Sequence, residues 1–238
     1  MPRKSVLTPS QKVSLLSFPT SKIEFERYYT LSENDLFIIH QKREIHNRLG
    51  FALMLCCIRY PGISYDVDTV IEDNMMEFVK KQLSIQTEID MQLYFKRETT
   101  RREQLAEIQN LYGYRSLNAK MHASYVELLL PTAKATDNGA IVANKLIELL
   151  RHEMIIVPNI SVIERLCSEA ITIATKWVYE TLLEQCSKMQ LDKLQKLFTS
   201  KPNTNISYLG WLQMRNFVAN PKFILEHIQR LRFIKELD

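Results

Sequence analysis

Residues 41–62, QKREIHNRLGFALMLCCIRYPG, join a polar head to ten consecutive residues without a charge, from Leu49 to Ile58. A helix over the uncharged run would be apolar on every side, so we expect it to be buried on all sides. Pro61 and Gly62 follow the run and are typical of a helix end. The stretch therefore predicts a core helix over residues 46–60, of which only the polar head could reach a partner.

The composition favours an all-α chain that is long enough to bury a sizeable core. Of its 238 residues, 46% are hydrophobic, and only five are glycine and eight proline, too few for the many tight turns of an all-β chain. The net charge of +4 is small, but its distribution is uneven: residues 1–60 and 94–120 have a basic excess, and residues 61–93 an acidic one. Alternating excesses of this kind are also typical of ordinary solvated surfaces.

Helix starts are predicted where a Ser or Thr oxygen can accept from a free backbone N–H and an acid or amide follows three residues later. Such pairs are Thr8 with Gln11, Ser32 with Asp35, Thr87 with Asp90, Thr100 with Glu103, and Ser161 with Glu164. The predicted helices are 9–17, 33–42, 46–60, 71–83, 88–95, 101–112, 117–130, 139–152, 162–189, 190–198 and 222–235. The helix over 162–189 carries an apolar stripe typical of a bundle core, and the polar loop from Ser200 to Ser207 is the strongest candidate for a linker.

Several function classes lack their sequence signals. The longest uncharged run is about half of the ~20 residues that a membrane-spanning helix needs, and no apolar signal segment follows the basic start Met1 to Lys4. The four cysteines and five histidines form no cluster with metal-ligand spacing, so we expect buried thiols in a reducing cytoplasm and no metal or other cofactor. No glycine-rich phosphate loop, nucleophile elbow or His-Glu-x-x-His helix occurs, so we expect no catalytic residue.

Residues 86–115, QTEIDMQLYFKRETTRREQLAEIQNLYGYR, have the pattern of a helix-turn-helix with a turn around Lys96 to Thr99. The second helix has a single apolar stripe, so its other faces are free for polar contacts. The residues on those faces are Arg101, Arg102, Gln104, Gln109 and Asn110. Arg, Gln and Asn side chains bond to base edges in a DNA major groove, and Arg101, Arg102 and Gln104 are the residues predicted to read bases.

The start of this helix also has features of a phosphate site. Thr100 would cap it, and its N-terminal amides, with Lys96 and Arg97 nearby, would attract an anion. The alternative is an ordinary surface helix in which Glu98, Glu103 and Glu107 balance the arginines.

An earlier helix pair contains the opening stretch. Its second helix is too apolar to lie in a groove, so only the head, with Arg43, His46, Asn47 and Arg48, could contact a partner. We predict phosphate contacts from Arg43, Asn47 and Arg48 rather than base contacts.

Several motifs occur in an order that resembles one family. They are LTPSQKVSLLSFP, YYTLSENDLFII, NRLGFALMLCCIRYPG, Y-x-x-R-x-x-TRRE, LYGYR, IIVPNISVIERLCSEA, SYLGWL and ILEHIQRLRFI, and they extend over nearly the whole chain. The sequence resembles the N-terminal region of bacterial class II replicative transposases, the Tn-three family. This resemblance implies an all-helical region that recognises terminal inverted repeats through a bipartite helix-turn-helix arrangement. It also implies that the catalytic carboxylates and their metal ions belong to a ribonuclease-H-like domain that these residues do not contain.

Together these observations predict an all-α, multi-helix fold with two helix-turn-helix-like subdomains followed by a helical bundle. The predicted division is residues 1–85 for a first DNA-binding subdomain and 86–238 for the second helix-turn-helix with the bundle. The predicted function is sequence-specific binding of double-stranded DNA. The predicted site consists of Arg43, Asn47, Arg48, Lys96, Arg97, Thr100, Arg101, Arg102, Gln104 and Arg115.

The expected partners are double-stranded DNA with terminal inverted repeats, the remainder of the transposase and a second protomer, without a membrane. The expected location is the bacterial cytoplasm, at the nucleoid when DNA is bound. The alternative is a helical docking or dimerisation module of a transposase, with the helix over 162–189 as its interface.

Overall fold

The computed structural model describes residues 5–202, 204–214 and 221–237, so the basic start Met1 to Lys4 lies outside the described residues. These residues are predominantly helical, as predicted. The helices are α1 Pro9–Leu15, α2 Lys22–Tyr29, α3 Glu33–His40, α4 Ile45–Arg59, α5 Asp73–Gln82, α6 Gln92–Phe95, α7 Glu98–Tyr112, α8 His122–Ala135, α9 Gly139–His152, α10 Ile160–Gln185, α11 Lys188–Lys196, α12 Tyr208–Gln213 and α13 Pro221–Leu237. Two short strands, β1 Arg115–Ser116 and β2 Ile155–Ile156, pair in parallel, and a 3-10 turn spans Ala119–Met121.

The opening stretch forms the centre of a first hydrophobic core. All ten residues from Leu49 to Ile58 in α4 are buried, which confirms the predicted core helix. Helices α2, α3, α5, α6 and α7 surround α4 and contribute fully buried side chains such as Tyr29, Ile39, Val79, Tyr94 and Ile108. The residues that could contact a partner are therefore those at the ends of α4 and on the outer faces of its neighbours.

This core continues across the predicted boundary between residues 85 and 86. Tyr94 in α6 and Ile108 in α7 are buried in the same cluster as the apolar run of α4. The two helix pairs, α3 with α4 and α6 with α7, consequently share one core. The assignment of separate DNA-binding roles to residues 1–85 and 86–238 stays a prediction.

A second hydrophobic core is built from α1, α8, α9, β2 and the first four turns of α10. The predicted stripe of Ile163, Leu166, Ala170 and Ala174 is buried there. The N-terminal segment packs onto this core: Leu7 is buried, and Lys12 Nζ on α1 lies 2.8 Å from Glu164 Oε2 on α10.

The chain divides into two compact units, Met1–Thr175 and Lys176–Asp238. The first unit contains both of these cores. The second unit contains α11, α12 and α13 with the end of α10. The loop from Ser200 to Ser207, predicted as a linker, lies inside this unit, and an antiparallel bridge joins its end residues. The linker prediction was wrong because the polar sequence of a loop does not show whether its ends pair.

Two predicted capping pairs are correct, and three are not. The Thr8 and Ser32 boxes cap α1 and α3 as predicted. The side chain of Asn159 accepts from Val162 N–H at the start of α10, so Ser161 is not the cap there. Helix α6 begins only at Gln92 without a side-chain cap, so Thr87 caps nothing and the predicted helix over 88–95 is one turn long. Thr100 lies inside α7 and not before it, so it does not cap that helix.

Two helices were absent from the prediction. Helix α2 begins after Ser21, whose hydroxyl accepts from Glu24 N–H, a spacing that the sequence does contain. Helix α12, with six residues, is too short for periodicity to reveal.

Candidate nucleic-acid interface

The turn before α4 is held against α7. Lys42 Nζ lies 2.6 Å from Glu107 Oε2 in the middle of α7, and Arg48 Nε donates to the Lys42 carbonyl at 2.7 Å. Arg43, between them, is exposed. The predicted phosphate contact Arg48 is thus partly engaged in fixing the turn, whereas the side chain of Arg43 remains available.

Gln104 connects α4, α6 and α7 instead of facing solvent. Only 4% of the residue is exposed. Its Oε1 accepts from the Tyr94 hydroxyl at 3.0 Å, and its Nε2 donates to the Asn47 carbonyl at 3.3 Å. Gln104 therefore does not lie on a free face of α7, where the helical pattern predicted it, because both ends of its amide are bonded inside the protein.

The N-terminus of α7 differs from the predicted one. The helix begins at Glu98 with Arg97 as the N-cap residue, and no side chain caps it. Thr100 lies inside the first turn and is half-buried, so the predicted capping role of Thr100 is wrong. The turn between α6 and α7 is correspondingly short, and Lys96 and Arg97 are exposed in it. Among the described residues, neither of these two cations has an ion-pair partner.

Arg101 and Arg102 point to different surroundings because neighbouring positions on a helix face different directions. The Arg101 guanidinium packs over the Phe95 ring at 5.4 Å, and its Nε is buried without a hydrogen-bond partner in the described part of the chain. Arg102 is exposed, with an ion pair to Glu98 four residues earlier. Since exposed pairs of this kind contribute little, Arg102 can exchange Glu98 for another anion or a base edge.

The outward row of α7 consists of Arg102, Ala106 and Asn110, spaced by four residues and all exposed. Opposite this row, Gln104 and Ile108 are buried. Helix α7 therefore packs by one side and offers the other, as its single apolar stripe predicts. Asn110 and Ala106 were not among the predicted site residues, and their spacing from Arg102 was a signal for them.

Arg115 is separated from the other candidates. It lies beyond the C-terminal end of α7, in β1, where its Nη2 donates to the Glu153 carbonyl at 3.3 Å. Residues at the two ends of α7 are about 20 Å apart along the helix axis. The structure thus brings Arg43, Asn47 and Arg48 near the middle of α7 and places Lys96 and Arg97 at its start, but does not bring Arg115 to either.

Asp35 is a buried group that the site prediction missed. Its residue is 1% exposed, and its carboxylate accepts from Arg59 Nη2 at 2.8 Å, from the Tyr112 hydroxyl and from Ser32 N–H. Burial by itself would raise the pKa of Asp35, but hydrogen bonds from Tyr112, Ser32 and Arg59 outweigh it and lower the pKa. Asp35 thereby joins α3, α4 and the end of α7 into one body.

The titratable side chains of the described residues form no metal-ligand cluster, and three of the four cysteines are buried. No group of three or more His, Cys, Asp or Glu side chains in residues 5–202, 204–214 and 221–237 is arranged to hold a metal ion. Cys56, Cys57 and Cys167 are buried, and burial raises the pKa of Cys56 and Cys167 to about 12. Within the same ranges, no helix is both long and apolar enough to cross a bilayer.

Residues 6–170 match a family that is described as a domain of unknown function, DUF4158. The chain belongs to the DUF4158 family. This DUF4158 chain also resembles transposases along its whole length: it is 37% identical to the transposase for transposon Tn3926 of Escherichia coli, 36% to that for Tn21 of Escherichia coli, and 35% to that for Tn501 of Pseudomonas aeruginosa.

The DUF4158 chain spans about a quarter of the length of these relatives, 24% in each case. It is homologous to the N-terminal part of transposases of the Tn-three family, which confirms the resemblance stated from the motifs. The family match ends before the second compact unit, whereas the similarity to the transposases continues through it.

Proposed function

We propose that the chain binds double-stranded DNA sequence-specifically at the terminal inverted repeats of a transposon, as the non-catalytic N-terminal part of a replicative transposase. The observation that carries this proposal is the outward row of α7 beside two turns of the same packed body that carry exposed cations, Arg43 in one and Lys96 and Arg97 in the other. Lys42 contacts Glu107 of α7, so the turn that contains Arg43 lies near Glu107. Glu107 follows Arg97 by ten residues, which separates the two turns by about 15 Å along the helix. A DNA major groove is about 12 Å wide and admits one α-helix, with phosphates along both edges.

The roles follow from exposure. Arg102 can bond to guanine, Asn110 to adenine, and Ala106 can contact the methyl group of thymine. Arg43, Lys96 and Arg97 are placed to contact phosphates, which fix the position of the protein on the duplex but do not carry sequence information. Gln104, Asn47 and Arg48 position the two helix pairs, and Arg101 lies at the edge of the reading surface.

A binding experiment with an inverted-repeat duplex and a scrambled duplex tests the proposal. We expect tighter binding to the repeat, with a log affinity that falls linearly as log salt rises. The variant Arg102→Ala should lower the preference for the repeat by about 5- to 150-fold, which corresponds to about 1–3 kcal/mol for one paired base contact. Arg97→Ala should weaken both duplexes by the same factor.

Lys145→Ala is a matched control outside this surface, because Lys145 is an exposed cation that pairs with Glu148 on its own helix, as Arg102 pairs with Glu98. It should leave both the affinity and the preference for the repeat unchanged. Equal affinity of the wild-type chain for the two duplexes, or affinity that ignores salt, would contradict sequence-specific DNA binding.

We further propose that this binding needs no metal ion and that the strand-transfer carboxylates lie outside these residues. Chelation of divalent cations should leave the affinity for the repeat unchanged. Cleavage of a repeat duplex by the purified chain with Mg²⁺ or Mn²⁺ would contradict this. As a DNA-binding protein of a mobile element, the chain would act in the bacterial cytoplasm, at the nucleoid.

A second candidate function is docking of another protomer. Exposed apolar side chains in the last turns of α10 favour it. Tyr179, Leu182 and Leu183 are more than half exposed there, although they are large and apolar. Light scattering at increasing concentration tests this function: a dimer that Leu182→Ser disrupts would support it. A chain that stays monomeric and shifts only when DNA is added favours DNA binding alone.

A further inference from the structure

The net positive charge of the chain lies in its second unit. Residues 1–175 hold 21 Lys and Arg against 21 Asp and Glu, whereas residues 176–238 hold 10 against 6. The asymmetry is strongest between Lys188 and Lys235, where nine basic residues accompany two acidic ones. The whole net charge of +4 therefore belongs to the second unit, which contains none of the predicted site residues.

Within this unit, cations from three different elements surround one aromatic cluster. The rings of Tyr208 and Phe233 stack with centroids 4.4 Å apart, and Trp211 meets Phe233 edge to face. Lys201 Nζ lies 4.0 Å from the centre of the Trp211 ring, and Lys196 Nζ on α11 lies 5.5 Å from that of Phe233. The cluster thus holds these lysines close to each other.

Arg230 on α13 completes the set. Its guanidinium lies 5.6 Å from the Trp211 ring centre, and its Nη1 donates to the Met214 carbonyl at 2.8 Å. Its Nε is buried and has no hydrogen-bond partner among the described residues. Arg230 is therefore fixed in place and adds a third cation beside the cluster.

These cations are not neutralised inside the protein. In the described ranges, Lys188, Lys193, Lys196 and Lys201 form no ion pair with a carboxylate. Such a surface attracts a polyanion. The rings themselves are not available to it, since Trp211 and Phe233 are each 7% exposed, so stacking on the bases of a single strand is not supported.

Double-stranded DNA fits this surface better than another polyanion. Proteins gain most of their sequence-independent DNA affinity by neutralising phosphates, and the first unit has no net positive charge for this purpose. We propose that Lys196 and Lys201, held by the aromatic cluster of the second unit, form a separate contact surface for the phosphate backbone of duplex DNA. This inference rests on the proposed function only in that the chain acts on DNA, and it requires no sequence preference.

The salt dependence of binding by the full chain tests the inference. Affinities of the wild type and of Lys196→Gln/Lys201→Gln are measured by fluorescence anisotropy for the repeat and the scrambled duplex, between about 50 and 200 mM salt. We expect the slope of log affinity against log salt to become shallower by about 0.9 for each lost contact, about 2 in total. Both duplexes should lose affinity by the same factor.

Two further double variants keep the test independent of folding. Lys188→Gln/Lys193→Gln removes charges that contact no aromatic ring in the described ranges, and should also make the slope shallower. Lys120→Gln/Lys145→Gln removes the same number of charges from the first unit and should leave the slope unchanged.

The possible results separate this inference from the proposed function. An unchanged slope in both second-unit variants would overturn the inference. It would also be overturned if the chain bound vesicles of anionic lipid more tightly than DNA and the same variants abolished the vesicle binding. A shallower slope in a chain that does not prefer the repeat would support the inference and contradict sequence-specific recognition.

Discussion

Gly50 shows how a single residue determines where α6 lies. It is in the interior of α4, where glycine costs roughly 1 kcal/mol relative to alanine in an isolated helix. In the folded protein, a Cβ at this position would lie 2.3 Å from the Tyr94 ring. The glycine therefore permits Tyr94 to pack against α4 and to donate its hydroxyl hydrogen to Gln104.

We expect Gly50→Ala to destabilise the protein by about 1–3 kcal/mol, because overpacking outweighs the gain in helix propensity. Urea unfolding followed by circular dichroism measures this. Ala106→Gly, on the exposed row of α7, is the control and should cost about 1 kcal/mol through propensity alone. A Gly50→Ala variant that is as stable as the wild type would show that Tyr94 can move away without cost.

Asp35 is a residue whose charge matters for stability. Its pKa is lowered in the folded state, so the ionised form is favoured by folding. The stabilisation is present above the unfolded-state pKa of about 3.9 and is lost as the pH falls through the lower folded-state pKa. The loss therefore begins below about pH 5 and continues toward lower pH.

We expect Asp35→Asn to lower the free energy of unfolding at pH 7 by about 3 kcal/mol, because Arg59 loses its buried partner. Unfolding free energies measured from pH 7 down to about pH 3 should fall less steeply for this variant than for the wild type. Exposed Asp137→Asn should retain the wild-type dependence. Parallel curves for Asp35→Asn and the wild type would contradict the role given to Asp35.

At the scale of elements, α7 illustrates what a helical pattern predicts and what it leaves open. The single apolar stripe correctly indicated one packed side. It did not indicate that Gln104 lies on that side, because glutamine is polar and becomes buried only where α4 and α6 supply bonding partners. Likewise, Thr100 has a capping spacing, but α7 begins earlier, at Glu98.

Helix α1 is a short element whose position depends on two buried leucines, one inside the helix and one just before it. Leu15 in the helix is 9% exposed and Leu7 just before it is 3% exposed, whereas Val13 on the other side is 77% exposed. Since α1 has seven residues, it would not be stable by itself.

We expect Leu15→Ala to destabilise the first unit by about 2–3 kcal/mol, while Val13→Ala on the same helix changes stability by less than about 0.5 kcal/mol. Chemical unfolding of the two variants measures the difference. Similar effects of the two substitutions would mean that α1 does not pack on the second core.

At the scale of the whole molecule, the two units differ in how much core they have. The first contains two clusters of buried side chains, whereas the second has 63 residues and buries Trp211 and Phe233 as its large described side chains. Units of this size are marginally stable. Both tryptophans of the chain, Trp177 and Trp211, lie in the second unit.

We therefore expect tryptophan fluorescence to report an unfolding midpoint at lower urea concentration than circular dichroism, which is dominated by the larger unit. Noncoincident transitions are the accepted sign that unfolding is not two-state. A repeat measurement with Trp211→Phe should retain the midpoint seen by circular dichroism. Coincident midpoints in the wild type would show that the units unfold together.

The sequence by itself determined the all-α class, the buried α4 helix, most helix positions and the relationship to transposases of the Tn-three family. These features depend on local patterns, such as apolar runs, capping pairs and ordered motifs, which are complete within a short stretch of chain. The exposure of Arg102 and Lys96 could be predicted for the same reason, because Arg102 lies on a polar helix face and Lys96 in a polar turn.

Only the tertiary structure decided that the two helix pairs share one core, that Gln104 is buried and that Asp35 pairs with Arg59, 24 residues away. It also decided that Lys196, Lys201 and Arg230 meet around one aromatic cluster. The physical reason is that the exposure and partners of a side chain depend on which distant element packs against it, and no local pattern contains that information.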